Sequence, residues 1–124
     1  MAQKVYNIGV EVTMDTIGGK WKTIILCNLR HGDKRPSELQ HLIPNISQKM
    51  LTQELKELVH DNIVDRTVYN QVPPKVVYSL SDYGQSLGTI LHELCAWGTM
   101  HAHTLKDEGK DIVLMEEEQL VTKG

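Results

Sequence analysis

The sequence predicts an α+β domain, mostly helical, with one short β-hairpin set between helices. Three observations carry this. Apolar residues recur at helical spacing in successive segments up to about residue 61, and again after residue 81. Between them, Val64–Tyr69 and Lys75–Leu80 are rich in β-branched and aromatic residues, with Val76, Tyr78 and Leu80 on one face. Asn70-Gln71-Val72-Pro73-Pro74 joins these two runs, and two prolines cannot continue a ladder, so the joint is a stiff, exposed loop between antiparallel strands.

Taken in order, Val10–Ile17 is a short helical arm stopped by Gly18-Gly19. Trp21, Ile24, Ile25 and Leu29 give a helix over Trp21–Arg30, closed by His31-Gly32. Ser37-x-x-Gln40 has the capping-box pattern for a short helix whose buried stripe is Leu39, Leu42 and Ile43, and Pro44 stops it. Ser47 is a good N-cap for a longer helix to about Asp61, with Leu51, Leu55, Leu58 and Val59 facing the core. Two short helices so closely joined form a helix-turn-helix candidate, and the hairpin that follows makes it a winged helix. Ser81 then caps a helix to roughly His103, about 33 Å long at 1.5 Å per residue.

The organisation expected is a single winged-helix DNA-binding domain over residues 1–105. Residues 1–19 form an N-terminal dimerisation arm, 20–80 the winged helix and 81–105 a dimerisation helix. Residues 106–124 are an acidic tail around Glu116-Glu117-Glu118, without assigned structure and a candidate for disorder. No apolar run approaches the roughly 18 residues of a membrane span, and the N-terminus lacks a secretory signal. Cys27 and Cys95 lie in apolar helical settings and read as buried small hydrophobes, and the cytoplasm is the expected compartment.

The formal charge of −3 disfavours a nucleic-acid partner until its distribution is considered. Residues 20–75 carry nine Lys/Arg against six Asp/Glu, whereas residues 76–124 carry three against eight. Local potential within about 8 Å, a Debye length at physiological salt, is what a phosphate meets. The basic half coincides with the helix-turn-helix.

In the helix from Ser47, Lys49, Thr52, Gln53 and Lys56 form a polar stripe that suits the major groove, with Ser47 and Gln48 at its start. Lys20, Lys22 and Arg35 around the preceding helices, and Arg66 and Lys75 flanking the Pro-Pro loop, are candidates for phosphate contacts. The long helix carries Tyr83, Leu87, Ile90, Leu94 and Trp97 at coiled-coil-like spacing, with Leu91 beside them. A winged-helix core is too compact to cover that seam, so a second copy of the chain is expected on it.

Other patterns fail. Gly18–Trp21 is no phosphate loop, since Met14 stands for the earlier glycine and Trp21 for the Ser/Thr. His92–Ala96 lacks the second histidine of a zinc helix. His92, Cys95, His101 and His103 remain as an alternative, a metal-sensing site at a dimer interface, because zinc accepts N and S ligands. No nucleophile–base trio is visible, no motif calls for a cofactor, and the chain reads as no enzyme. The expected partners are double-stranded DNA and a second copy, with room for an unidentified small-molecule effector and no membrane. A second alternative is a winged-helix module for protein–protein contact, docking through its acidic C-terminal third.

Three blocks, "DTIGGKWKTIIL" (Asp15–Leu26), "ISQKMLTQELKELV" (Ile46–Val59) and "YNQVPPKVVYSLSDYG" (Tyr69–Gly84), resemble in the same order those of the HxlR-type winged-helix regulators. The resemblance covers about residues 8–105, and Tyr-x-x-Val-Pro-Pro is its most specific part. It implies a dimeric transcription regulator acting at an operator, with the helix from Ser47 in the groove and the first and last helices in the dimer. Several members of that family sense oxidants through a cysteine just before the first helix. That position is Ile8 here, and Gly9 stands where a proline is usual.

Overall fold

The computed structural model describes residues 3–115, so the Glu116-Glu117-Glu118 acidic run lies outside the described residues. The chain divides into two compact units, one ending at Ser86 and the other beginning at Leu87.

The first unit contains α1 (Gly9–Ile17), α2 (Trp21–Leu29), α3 (Pro36–Leu42), α4 (Gln48–His60), β1 (Val64–Tyr69) and β2 (Lys75–Leu80). Before α1, Lys4 and Tyr6 both donate to the Asp15 carboxylate and tie the N-terminal arm down. The α1–α2 corner needs its glycine pair. Gly19 sits at φ +82, left-handed space that L side chains rarely enter, and a Cβ on Gly18 would meet the Met14 carbonyl oxygen at 2.2 Å. Thr23 Oγ1 donates to the Ile17 carbonyl at 2.6 Å and closes the corner.

The core of this unit is aliphatic. Ile25, Leu26, Leu39, Leu51, Leu55, Leu58 and Val64 are all at most 2% exposed. Burial of each such side chain is worth about 1.5–3 kcal/mol. Leu42 does not join them. Leu39 and Ile43 point inward, but Leu42 is exposed, because α3 is only seven residues long and its next step ends in the turn.

The α3 start also differs from expectation. Arg35 occupies the N-cap, Pro36 the first helical position, and Glu38 Oε1 accepts from the Arg35 backbone N–H at 2.7 Å. Proline's fixed φ and missing N–H suit that first position, so the helix begins there and Ser37 lies inside it. Gln40 instead donates its side-chain amide to the Ile46 carbonyl, stapling the turn into α4.

β1 and β2 pair antiparallel from Val64↔Leu80 to Tyr69↔Lys75. The hairpin projects, with every β1 residue after Val64 exposed. In β2, Val77 is buried on the face opposite Val76 and Tyr78, and Leu80, on their face, is buried at the strand's end. Lys34 adds a one-residue third strand, exchanging both backbone bonds with Tyr78 at 2.8 and 2.9 Å.

Ser81 is a hub instead of a simple helix cap. Its hydroxyl donates to the Asn62 carbonyl at 2.7 Å and accepts from Gly84 N–H at 2.8 Å. A Cβ on Gly84 would stand 2.1 Å from the Ile63 carbonyl oxygen, so only glycine lets this turn close on the strand entry. A 3₁₀ turn over Gly84–Leu87 follows.

The second unit is dominated by α5 (Gly88–Asp107), 20 residues or about 30 Å. It starts later than the sequence suggests, because the Ser81 turn holds residues 81–84 out of the helix, and it runs on to Asp107.

Candidate nucleic-acid interface

Both ends of the turn between α3 and α4 are pinned. Ile46 N–H donates to the Ile43 carbonyl at 3.1 Å, and Ser47 Oγ accepts from Met50 N–H at 3.0 Å as the N-cap. This fixes where α4 begins. Its Leu51–Leu55–Leu58 stripe is buried, so the opposite side must face outward.

Ser47, Gln48, Lys49, Thr52, Gln53 and Lys56 are all exposed. They do not share one narrow face. At about 100° per residue, Gln48 and Thr52 fall on one flank, Gln53 on the other, and Lys49 and Lys56 between them. On the first flank, Arg35, Ser37, Gln48, Thr52, Lys75 and Tyr78 line an open cleft of about 750 Å³ between α3, α4 and β2. Four residues expected to touch DNA (Arg35, Gln48, Thr52 and Lys75) thus meet in one concavity. Ser37 and His41 also line it and were missed. The sequence pattern points Ser37 to capping, a role that Arg35 and Glu38 fill instead.

On the other flank, Lys22, Gln53, Lys56, Glu57, His60 and Asp61 line a second cleft of about 400 Å³. Lys22 is not poised for a phosphate. Its Nζ lies 2.6 Å from Glu57 and 3.9 Å from Glu54, with the side chain only 15% exposed. The hydrogen bond it donates to Glu57 holds the Lys22 ammonium above its ordinary pKa against the cost of its burial. Glu57, bonded by Gln53 and Lys22, is held below the usual carboxylate range. Neutral pH leaves both charged, and the pair bolts α2 to α4.

The remaining cations stand outward. Lys20 and Arg35 are exposed, and Lys20 Nζ lies 4.6 Å from the Trp21 ring centroid. Arg66 is exposed on β1, and Lys75, half-buried, places Nζ 5.3 Å from the Tyr69 ring centroid across the strands. An aromatic face steadies a cation by about 0.5–1 kcal/mol at such sites while leaving its charge available.

In the second unit, Ile90, Leu94 and Trp97 stand 46–60% exposed, and Met100 extends their stripe at 50%. Leu87 is half-buried. Two members of the expected dimer surface need correction. Leu91 is fully buried within the chain, and Tyr83, although exposed, belongs to the turn before α5 and not to the helix. Trp97 and His101, one turn apart, stack with centroids 4.8 Å apart.

His92, Cys95, His101 and His103 do not gather into a metal site within one chain. Among the described residues, no three His, Cys, Asp or Glu side chains gather to hold an ion. The eleven-residue spread of these four is about 16 Å along a helix axis, too far for one coordination sphere. Cys27 and Cys95 are half-buried, less enclosed than their sequence settings suggest. Among the described residues, no helix is long and apolar enough to cross a membrane.

The protein-family comparison matches residues 16–106 to the HxlR-like helix-turn-helix. The chain is 56% identical to the HTH-type transcriptional regulator YtcD of Bacillus subtilis (strain 168), over 99% of this chain and 96% of that one. It is 43% identical to an HTH-type transcriptional regulator of Methanothermobacter thermautotrophicus (strain ATCC 29096 / DSM 1053 / JCM 10044 / NBRC 100330 / Delta H), over 89% of this chain and 84% of that one. Among solved structures, the reduced form of the redox regulator HypR superposes with a TM-score of 0.73 at 46% identity, covering 79% of this chain and 97% of that one. These relatives are transcription regulators, the fold is a winged helix, and the chain belongs to the HxlR-like helix-turn-helix family.

Proposed function

We propose that this protein is a sequence-specific DNA-binding regulator of transcription that works as a homodimer on a palindromic operator. The observation that carries the reading is α4, a helix seated on a buried leucine stripe with Gln48, Lys49, Thr52, Gln53 and Lys56 turned outward beside a projecting hairpin. Glutamine and lysine can read donors and acceptors on base edges in the major groove, and serine and threonine reach bases or phosphates. Lys20, Arg35, Arg66 and Lys75 supply sequence-independent phosphate contacts, and Lys22 serves the fold instead.

Dimerisation rests on α5. An exposed row of Ile90, Leu94, Trp97 and Met100 on one helix is the kind of apolar stripe that a second copy buries, with the 1–19 arm contributing. A two-fold dimer of such domains reads half-sites about one helical turn apart, near 34–36 Å.

The test is selection of duplexes from a randomised pool by the full chain. Enrichment of a two-fold-symmetric sequence is expected, with affinity falling linearly in log–log against salt. Recovery of an unenriched pool would overturn the reading.

A further inference from the structure

Gln53, Glu57 and Lys22 form a relay from the outer face of α4 to α2. Gln53 Nε2 donates to Glu57 Oε2 at 2.7 Å, and Lys22 Nζ donates to Glu57 Oε1 at 2.6 Å. Each carboxylate oxygen therefore has its own donor. The two ends of a glutamine amide are nearly interchangeable in shape, so its orientation is decided by its partners. An ionised carboxylate only accepts. With Glu57 below Gln53, the amide must turn Nε2 toward the helix, which leaves Oε1 and one N–H to face outward. That acceptor–donor pair is the complement of the adenine major-groove edge, whose N6 donates and N7 accepts.

We propose that Glu57, anchored by Lys22, is a positioning residue that fixes the Gln53 amide for adenine and so determines base preference. The proposal rests on the base-reading role of Gln53 given above. Lys22 matters because it is an α2 residue. It ties Glu57 to the body of the domain, so the carboxylate does not follow the flexible glutamine but holds it.

The experiment measures binding of the full chain to the selected operator and to operators carrying each base substitution. The wild type should favour adenine at one position per half-site by roughly five- to a hundredfold. Gln53→Ala should erase that preference. Glu57→Gln removes a negative charge near DNA, so on electrostatics alone it should bind every duplex as well or better. A preference that nonetheless falls several-fold at that one position, with other positions unchanged, is the expected result. Adding Glu57→Gln to Gln53→Ala should change the preference no further, and Lys22→Arg, which keeps the ion pair, should retain it. The Gln53 side-chain amide signals of the free protein give a second readout, shifted by Glu57→Gln even before DNA is added. If Gln53→Ala erases the preference and Glu57→Gln keeps it, the positioning role is overturned and base reading stands. If Gln53→Ala itself keeps the preference, both fall.

Discussion

Helices α4 and α5 carry the same kind of apolar pattern and meet opposite fates. In α4, Leu51, Leu55 and Leu58 fall at i, i+4 and i+7 and are at most 2% exposed. In α5, Ile90, Leu94 and Trp97 fall at i, i+4 and i+7 and remain 46–60% exposed, although Leu91 and Thr99 on the same helix are buried. Periodicity announces that a helix has a face to bury. It does not say whether the chain itself supplies the cover. A helix inside a helix-turn-helix has neighbours fixed by short turns, whereas α5 is the one helix among the described residues of its unit.

The largest effect that would sharpen this contrast is on stability. Leu55→Ala should cost about 2–5 kcal/mol, the range for a buried leucine truncated in a tight core. Leu94→Ala, starting from a half-exposed side chain, should cost the folded chain much less. Urea unfolding at matched, low protein concentration checks both. Equal losses would mean that Leu94 packs as deeply as Leu55 and that the two helices do not differ.

Next in size is assembly. Leu94→Glu places a carboxylate in the exposed stripe of α5, where burial against a second copy would leave it unpaired and costly. Light scattering should find a folded monomer in place of a dimer. Operator affinity should drop because two half-sites are no longer bridged by one particle. An unchanged, folded dimer would move the interface off this face, and the exposure of Ile90 and Trp97 would need another occupant.

Much of this is legible in the sequence itself. Both strands have the boundaries read from the β-branched runs, and Ser47 caps α4 as its position before a polar–apolar helix implied. What escaped were contacts set by residues distant in sequence. The ion pair that removes Lys22 from the phosphate contacts spans 35 positions, and no local pattern encodes it. The Lys34–Tyr78 bridge is a strand one residue long, too short for alternation to register. Ser81 looked like a helix cap because serine caps helices. Its hydroxyl also reaches back to Asn62, and that tertiary bond postpones the helix to Gly88. At the candidate site, the residue types were readable, but the division of the α4 stripe between two clefts was not, since it depends on where α3 and the hairpin stand.

The same contrast between closed and open settings applies to lysines. Lys22 is enclosed by two glutamates, whereas Lys75 stands at the loop end of the hairpin beside Tyr69. Lys75→Ala should weaken binding to operator and scrambled duplexes alike and reduce the slope of log affinity against log salt by about one. Lys22→Met should leave that slope unchanged and lower the unfolding midpoint. Titrations at several salt concentrations separate them. A slope change for Lys22→Met equal to that for Lys75→Ala would return Lys22 to the phosphate contacts.

The smallest expected effect is a null, and it compares the two units through their cysteines. A sensing thiol needs solvent access and a setting that favours the thiolate, such as a helix N-terminus. Cys27 is the seventh of nine residues in α2, and Cys95 the eighth of twenty in α5, so neither is at such an end. Both are half-buried and both already make contacts within the chain. At the N-terminus of α1, where family relatives place a thiol, Ile8 is 61% exposed and has no such chemistry. HypR is a redox regulator by name and its likeness to this chain covers 97% of its length, so the expectation here rests on Ile8 and on the placing of the two cysteines and not on the likeness. Mild diamide should therefore leave operator binding unchanged in a gel-shift titration, for the native chain and for Cys95→Ser alike. Cys95 is the more informative of the two, because it adjoins Leu94 in the helix expected to pair with its copy. If diamide releases the DNA and Cys95→Ser prevents the release, that thiol is open in the assembled protein, and α5 carries a signal as well as an interface.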